Sequence, residues 1–132
     1  MQKLTKFLPQ HNIILAIAER VNRKYPNASG HCAVMAKDLT EELTKYKINA
    51  THVMGEFTLD EPNAEKYMEC DEFSGDEYKV NHDWVSVEGK ILDISARQFR
   101  EDVHKEIPDV LFIDHTSPLY LRYDELGKAG KA

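Results

Sequence analysis

Three side chains in this sequence have the types and the order of a thiol-based catalytic triad. Cys32 starts a predicted helix after a Ser29-Gly30-His31 turn, His82 stands on a predicted strand, and Asp93 stands on the next strand. A thiol in the first turn of a helix lies near unpaired backbone N–H groups, whose partial positive charge favours the nucleophilic thiolate. A neighbouring histidine serves as base and acid, and a carboxylate orients that histidine. These residue types predict acyl transfer at an amide carbonyl.

Acyl transfer also requires hydrogen-bond donors for the oxyanion of the tetrahedral intermediate. The backbone N–H of Cys32 is the first candidate, and Asn27, Gln10 and Gln98 offer side-chain amides. Asn27 is the nearest of these in sequence. Trp84 is expected to pack beside His82 as part of the site wall. His31 is a candidate for lining the cleft, but the favoured interpretation is an exposed histidine in the capping region of the helix.

The contact between His82 and Asp93 depends on a predicted β-hairpin. Glu88-Gly89 is a two-residue turn of the kind that joins antiparallel strands. Counting outward from this turn pairs Asp93 with Trp84 and places it on the face that carries His82. A slip of one residue would move Asp93 to the opposite face. In the predicted register the carboxylate accepts a hydrogen bond from the N–H at Nδ1 of His82.

The other elements follow from periodicity and turn signals. Ser29 or Gly30 is the predicted cap of the second helix. The predicted fold class is α+β, with N-terminal helices packed on a small antiparallel sheet in a single domain of residues 1–132, whose core spans about 10–123. The predicted helices are 10–25, 32–45 and 96–106, and the predicted strands are 48–59 with an irregularity at Gly55, 78–87, 90–94, 110–113 and 119–121.

Two segments are interpreted as lying outside this core. Residues 60–77 carry eight acidic side chains against one lysine, which is typical of a solvated connection, with a short helix over 64–70. The functional interpretation of this acidic segment is a rim that selects basic partners or a segment that covers the site. Residues 124–132 are predicted to be a flexible tail.

Composition and charge narrow the function classes. The chain has 132 residues with 42% hydrophobic and 30% charged residues, as expected for one globular domain. Its net charge of −6 argues against binding to nucleic acid or to an anionic membrane. The apolar run at 13–18 is interrupted by Glu19 and Arg20, so neither a signal peptide nor a membrane span is predicted, and a cytoplasmic location is expected. Cys32 and Cys70 do not make a disulfide scaffold, and a bridge between them would silence the thiol.

Short motifs carry a resemblance to a known family. The helix start Gly-x-Cys-x-x-x-Ala-x-x-Leu at 30–39, the strand His-x-Trp-Val at 82–85 and the strand Gly-Lys-Ile-Leu-Asp at 89–93 resemble the transglutaminase-like branch of the papain-like cysteine enzymes. The run at 93–99 is similar to one found in small phage and bacterial members. The resemblance covers residues 10–100 and implies that Cys32 is the nucleophile, His82 the base and Asp93 its orienter.

Several functions are compatible with these residues. Members of the family hydrolyse peptides, deamidate glutamine, cross-link amines or only bind, so a peptidase, an amidase, a glutamine deamidase and a transglutaminase-like enzyme are all open, each with a protein or peptide substrate and no cofactor. The alternative is a non-catalytic binding module that uses the cleft or the acidic segment. Zinc held by the three triad residues is chemically allowable, but the sequence has neither H-E-x-x-H nor paired cysteines.

Overall fold

A computed structural model of the protein describes residues 2–28, 30–60, 79–103 and 106–125. Two α-helices precede five strands that form one antiparallel sheet in the order β4-β3-β2-β1-β5, which confirms the α+β prediction. Two 3₁₀ helices, Ala96–Asp102 and Tyr120–Arg122, lie between strands. The bounds are α1 Gln2–Asn22, α2 Cys32–Lys45, β1 Ala50–Thr58, β2 Lys79–Val87, β3 Lys90–Asp93, β4 Leu111–Ile113 and β5 Tyr123–Glu125.

The two faces of the sheet bury different sets of side chains. Because paired residues of neighbouring strands share a face, the register separates the two sets cleanly. One face packs against α1 and α2 through Val85, Val87 and Leu92. The opposite face, which carries Phe57 and Val80, packs against the segment that follows β3. Phe99 is a residue of that segment in contact with this face. His82 and Trp84 alternate with Val85 along β2, so they belong to this second face.

The helices agree with the sequence prediction in the core and differ at the ends. α2 has the predicted bounds, and its predicted inner stripe is buried at Ala36, Leu39 and Leu43. Its N-cap is His31, which makes no side-chain capping bond, instead of Ser29 or Gly30. α1 begins at Gln2 and not near residue 10, so Pro9 lies inside the helix and not before it. Neither described helix combines the length and apolarity needed to cross a bilayer.

The elements after β3 differ more from the sequence prediction. The predicted helix over 96–106 is a shorter 3₁₀ helix, although Phe99 and Val103 point inward as expected. The predicted strand at 119–121 is wrong: a 3₁₀ turn occupies 120–122, and the strand follows at β5. Residues 124 and 125, which belong to the predicted tail, lie in β5 instead. Residues 61–78, with most of the acidic segment and its predicted helix, and residues 126–132 lie outside the described residues.

Gly55 does not interrupt β1 as predicted, because the pairing with β2 is continuous through Gly55 and His82. Gly55 instead allows Trp84 and β5 to approach the backbone of β1 closely. A Cβ atom on Gly55 would lie 2.3 Å from the ring of Trp84 and 2.2 Å from the backbone oxygen of Asp124 in β5. Only a residue without a side chain lets the indole and β5 pack against β1 at this point.

We expect Gly55→Ala to destabilise the protein by about 1–3 kcal/mol, because the added methyl group must displace Trp84 or β5. Urea unfolding followed by the fluorescence of Trp84, the single tryptophan, measures this effect. Met54→Ala is the matched control, since Met54 is its neighbour on β1 and is 66% exposed. A Gly55→Ala protein as stable as Met54→Ala, with unchanged emission, would contradict the close packing.

Candidate active site

The nucleophile candidate Cys32 is the first residue of α2, as the sequence predicts, and its side chain is 6% exposed. Residues of α2 that are completely buried against the sheet, Met35, Leu39 and Leu43, fix the helix in place. The N-terminal turn of a helix has backbone donors with no partner inside the helix. Cys32 therefore combines a thiol and an available N–H at one fixed position.

His82 and Asp93 form a buried ion pair. The Nε2 atom of His82 donates a hydrogen bond of 2.6 Å to Oδ2 of Asp93, and both side chains are essentially inaccessible to solvent. The predicted register of the hairpin is confirmed, since Val85 pairs with Leu92 and the Glu88-Gly89 turn has the positive φ angles, 53° and 77°, of a two-residue hairpin turn. The predicted ring nitrogen is wrong: Asp93 is bonded to Nε2 and not to Nδ1. Asp93 lies diagonally across the hairpin, and Nε2 extends farther from the backbone than Nδ1.

The Asp93 carboxylate accepts five hydrogen bonds. Oδ1 accepts from the backbone N–H of Ser95 at 2.8 Å, from its hydroxyl at 3.1 Å and from the N–H of Ala96 at 3.0 Å. Oδ2 accepts from His82 and from the hydroxyl of Tyr123 at 2.7 Å. Burial acts to raise the pKa of Asp93, but His82 and these other donors outweigh it, so the pKa is lowered. The carboxylate is therefore ionised and rigidly held.

Cys32 is the second group, after Asp93, that acts on the His82 ring. Nδ1 is buried and makes no hydrogen bond of standard geometry with the described residues. Burial alone would lower the pKa of His82, but Asp93 and then Cys32, each through its charge and a hydrogen-bonding interaction, raise it to about 10. Because Nε2 is bonded to Asp93, Nδ1 is the nitrogen left for Cys32. The three residues that the sequence pointed to are thus brought together, in the order thiol, imidazole, carboxylate.

Arg97, which sequence reasoning missed, ties the loop before α2 to the segment after β3. Its guanidinium donates to the backbone carbonyls of Tyr25 and Pro26 and to the side-chain oxygen of Asn22. It lies four residues beyond Asp93. The arginine thereby links the end of the hairpin that holds Asp93 to the loop that leads to Cys32.

His31 and Asn27 organise the same loop. Nδ1 of His31 donates to the backbone carbonyl of Asn27 at 2.7 Å, since a carbonyl oxygen can only accept. Both residues are exposed, which for His31 agrees with its interpretation as a histidine of the capping region. Asn27 and Gln98 line one cleft of about 340 Å³ between this loop and the 3₁₀ helix after β3, together with Arg97, Arg100 and Glu101. Two of the predicted oxyanion donors thus share one cleft, and Cys32 is not among its lining residues.

Trp84 packs beside His82, as the sequence predicts. It is 4% exposed, and its ring centroid lies 6.2 Å from that of His82 and 4.9 Å from that of Tyr123. Sequence reasoning missed Tyr123 because it lies in no recognisable motif. Within the described residues, no three metal-ligating side chains form a group suited to a metal ion.

Comparison with known proteins gives no match: no protein-family model, curated protein or solved structure is significantly similar to this chain. The site must therefore be interpreted from its own geometry and chemistry.

We expect Asp93→Asn to cost about 3 kcal/mol of unfolding free energy near pH 6, because it leaves a buried imidazolium without its counter-charge. The raised pKa of His82 contributes stability that is complete below about pH 6.5 and is lost as the pH rises toward 10. The lowered pKa of Asp93 contributes stability that is lost in acid, below about pH 4. The stability difference between wild type and Asp93→Asn should therefore be largest between these limits and shrink by pH 10, as measured by urea unfolding.

Asp83→Asn is the matched control for this measurement. Asp83 is bonded to Nε2 of His52 at the same distance, 2.6 Å, but that pair is partly exposed. Its loss should cost about 1 kcal/mol or less. Equal costs for the two variants across the pH range would contradict the account of the buried pair.

Proposed function

We propose that this protein is a cysteine-dependent acyl-transfer enzyme of the papain-like, transglutaminase-like kind, acting on an amide bond. The observation that carries the proposal is the buried hydrogen bond between Nε2 of His82 and Asp93, with Cys32 also acting on the same imidazole. A buried, oriented imidazole between a thiol and a carboxylate is the arrangement that activates a cysteine nucleophile. The motif resemblance at 30–39, 82–85 and 89–93 supports the same assignment.

The arrangement of the three groups supports an ion-pair mechanism. Asp93 stabilises a positive charge on His82, and an imidazolium beside Cys32 stabilises a thiolate. The thiolate attacks the amide carbonyl carbon, a C–S bond forms, and the carbonyl oxygen becomes an oxyanion that accepts from the N–H of Cys32. As the C–N bond breaks, His82 gives its Nδ1 proton to the leaving amine. The products of this half-reaction are a thioester and a neutral imidazole.

The second half-reaction restores the enzyme. Neutral His82 removes a proton from water or from an acceptor amine, which attacks the thioester carbonyl and releases the Cys32 thiolate. Water gives hydrolysis or deamidation, and an amine gives transamidation. Peptidase, amidase, deamidase and transglutaminase-like activities share the thioester intermediate, so all four are included. They differ only in the acceptor and in the leaving group.

We expect Cys32 to be alkylated by iodoacetamide at pH 6 at least about 10-fold faster than Cys70 in the same molecule. An ordinary thiol is almost entirely protonated at this pH, whereas a thiol paired with an imidazolium is not. Digestion and mass spectrometry resolve the two cysteines. His82→Gln, which keeps a side chain of similar size, should remove the advantage of Cys32 at pH 6.

His52→Gln is the control variant, because it removes the other histidine that is bonded to an aspartate while leaving the Cys32 site unchanged. It should leave the alkylation ratio at its wild-type value. If folded wild-type Cys32 reacts no faster than Cys70, or if His82→Gln and His52→Gln give the same ratio, the proposed activation of the thiol is wrong.

A further inference from the structure

Tyr123 brings a hydroxyl to the same carboxylate oxygen that holds His82. Its O–H donates to Oδ2 of Asp93 at 2.7 Å, and Nε2 of His82 donates to that oxygen at 2.6 Å. Tyr123 comes from β5, the edge strand, which pairs Tyr123 with Phe57 of β1. One carboxylate oxygen is therefore shared between His82 of β2 and Tyr123 of β5.

The ring of Tyr123 is fixed by aromatic contacts, so its hydroxyl has a defined position. It packs edge to face on Phe57, with ring centroids 5.0 Å apart, and on Trp84, with centroids 4.9 Å apart. Both contacts are within the range of favourable aromatic pairs. The absence of a side chain at Gly55 permits this packing, because a Cβ there would meet Trp84 and the strand that carries Tyr123.

We infer that Tyr123 is a positioning residue for the acid–base pair: through Asp93 it fixes the orientation of the His82 ring and limits how tightly that ring holds its proton. This inference rests on the proposed function for its catalytic meaning. Tyr123 acts through Asp93 and is not itself a catalytic residue.

The direction of the effect follows from sharing one anion between two donors. The groups that act on His82 are Asp93 of β3 and Cys32 of α2. Those that donate to Asp93 are His82, Tyr123, the N–H and hydroxyl of Ser95 and the N–H of Ala96. A hydroxyl that donates to a carboxylate takes up part of its negative charge. Without that hydroxyl, more of the charge is available to His82, and the imidazolium loses its proton at a higher pH.

Tyr123→Phe tests this inference, because it removes the hydroxyl and keeps the ring that packs on Phe57 and Trp84. The ring resonances of His82, followed by NMR from pH 5 to 11, should titrate roughly 0.5–1 pH unit higher than in the wild type, as part of a charged hydrogen bond is redistributed. Tyr120→Phe, which removes a hydroxyl from the same segment, should leave this midpoint unchanged.

A second substitution acts in the opposite direction. Replacing the tyrosines with 3-fluorotyrosine makes the phenol a stronger donor, so His82 should titrate lower than in the wild type, and this arm applies even if Tyr123→Phe does not fold. An unchanged midpoint in the folded variants overturns the inference. If the His82 midpoint is unchanged while Cys32 stays rapidly alkylated, the proposed function stands without a role for Tyr123. If wild-type Cys32 is inert, the proposed function fails, and the His82 titration still decides the role of Tyr123.

Discussion

The buried negative charge of Asp93 is the constraint on which the rest of the site depends. An ionised carboxylate that is 2% exposed would cost several kcal/mol if its oxygens had no partners. Three of its five hydrogen bonds come from the adjacent turn at Ser95 and Ala96, so they form wherever the chain turns correctly after β3. The other two come from His82 and Tyr123, which only the completed sheet brings to the same place. The stability of the fold and the ionisation of the site are therefore linked.

The register of the sheet decides which groups share this charge. His82, Trp84 and Tyr123 lie on the face opposite the one that packs against the helices, while Val85 and Leu92 hold α2 in place from the helix side. β3 ends at Asp93, so no residue of β3 lies opposite His82. A single slip in the hairpin would move Asp93 to the helix face and separate it from the imidazole.

The sequence predicts those features whose determining residues are close together along the chain. The Glu88-Gly89 turn requires positive φ at both positions, which determines the register and hence the contact of His82 with Asp93. The stripe of buried residues in α2 follows helical spacing and gave its bounds correctly. The contact of Tyr123 with Asp93 spans 30 residues and depends on the pairing of Tyr123 with Phe57, so no local pattern announces it.

Where local rules failed, long-range contacts or side-chain reach decided the outcome. Gly55 was interpreted as an irregularity because glycine weakens a strand, yet its reason is the approach of Trp84 and β5 from distant parts of the chain. The choice of Nε2 over Nδ1 depends on how far a side chain extends across the hairpin.

The central claim, a thiolate held by the imidazolium, is tested most directly by the ultraviolet thiolate absorbance of wild type minus Cys32→Ser, titrated from pH 4 to pH 10. The account predicts that this absorbance is present at pH 6 and is diminished there in Asp93→Asn; absorbance that appears only in the alkaline range of a free thiol, equally in both proteins, would contradict it.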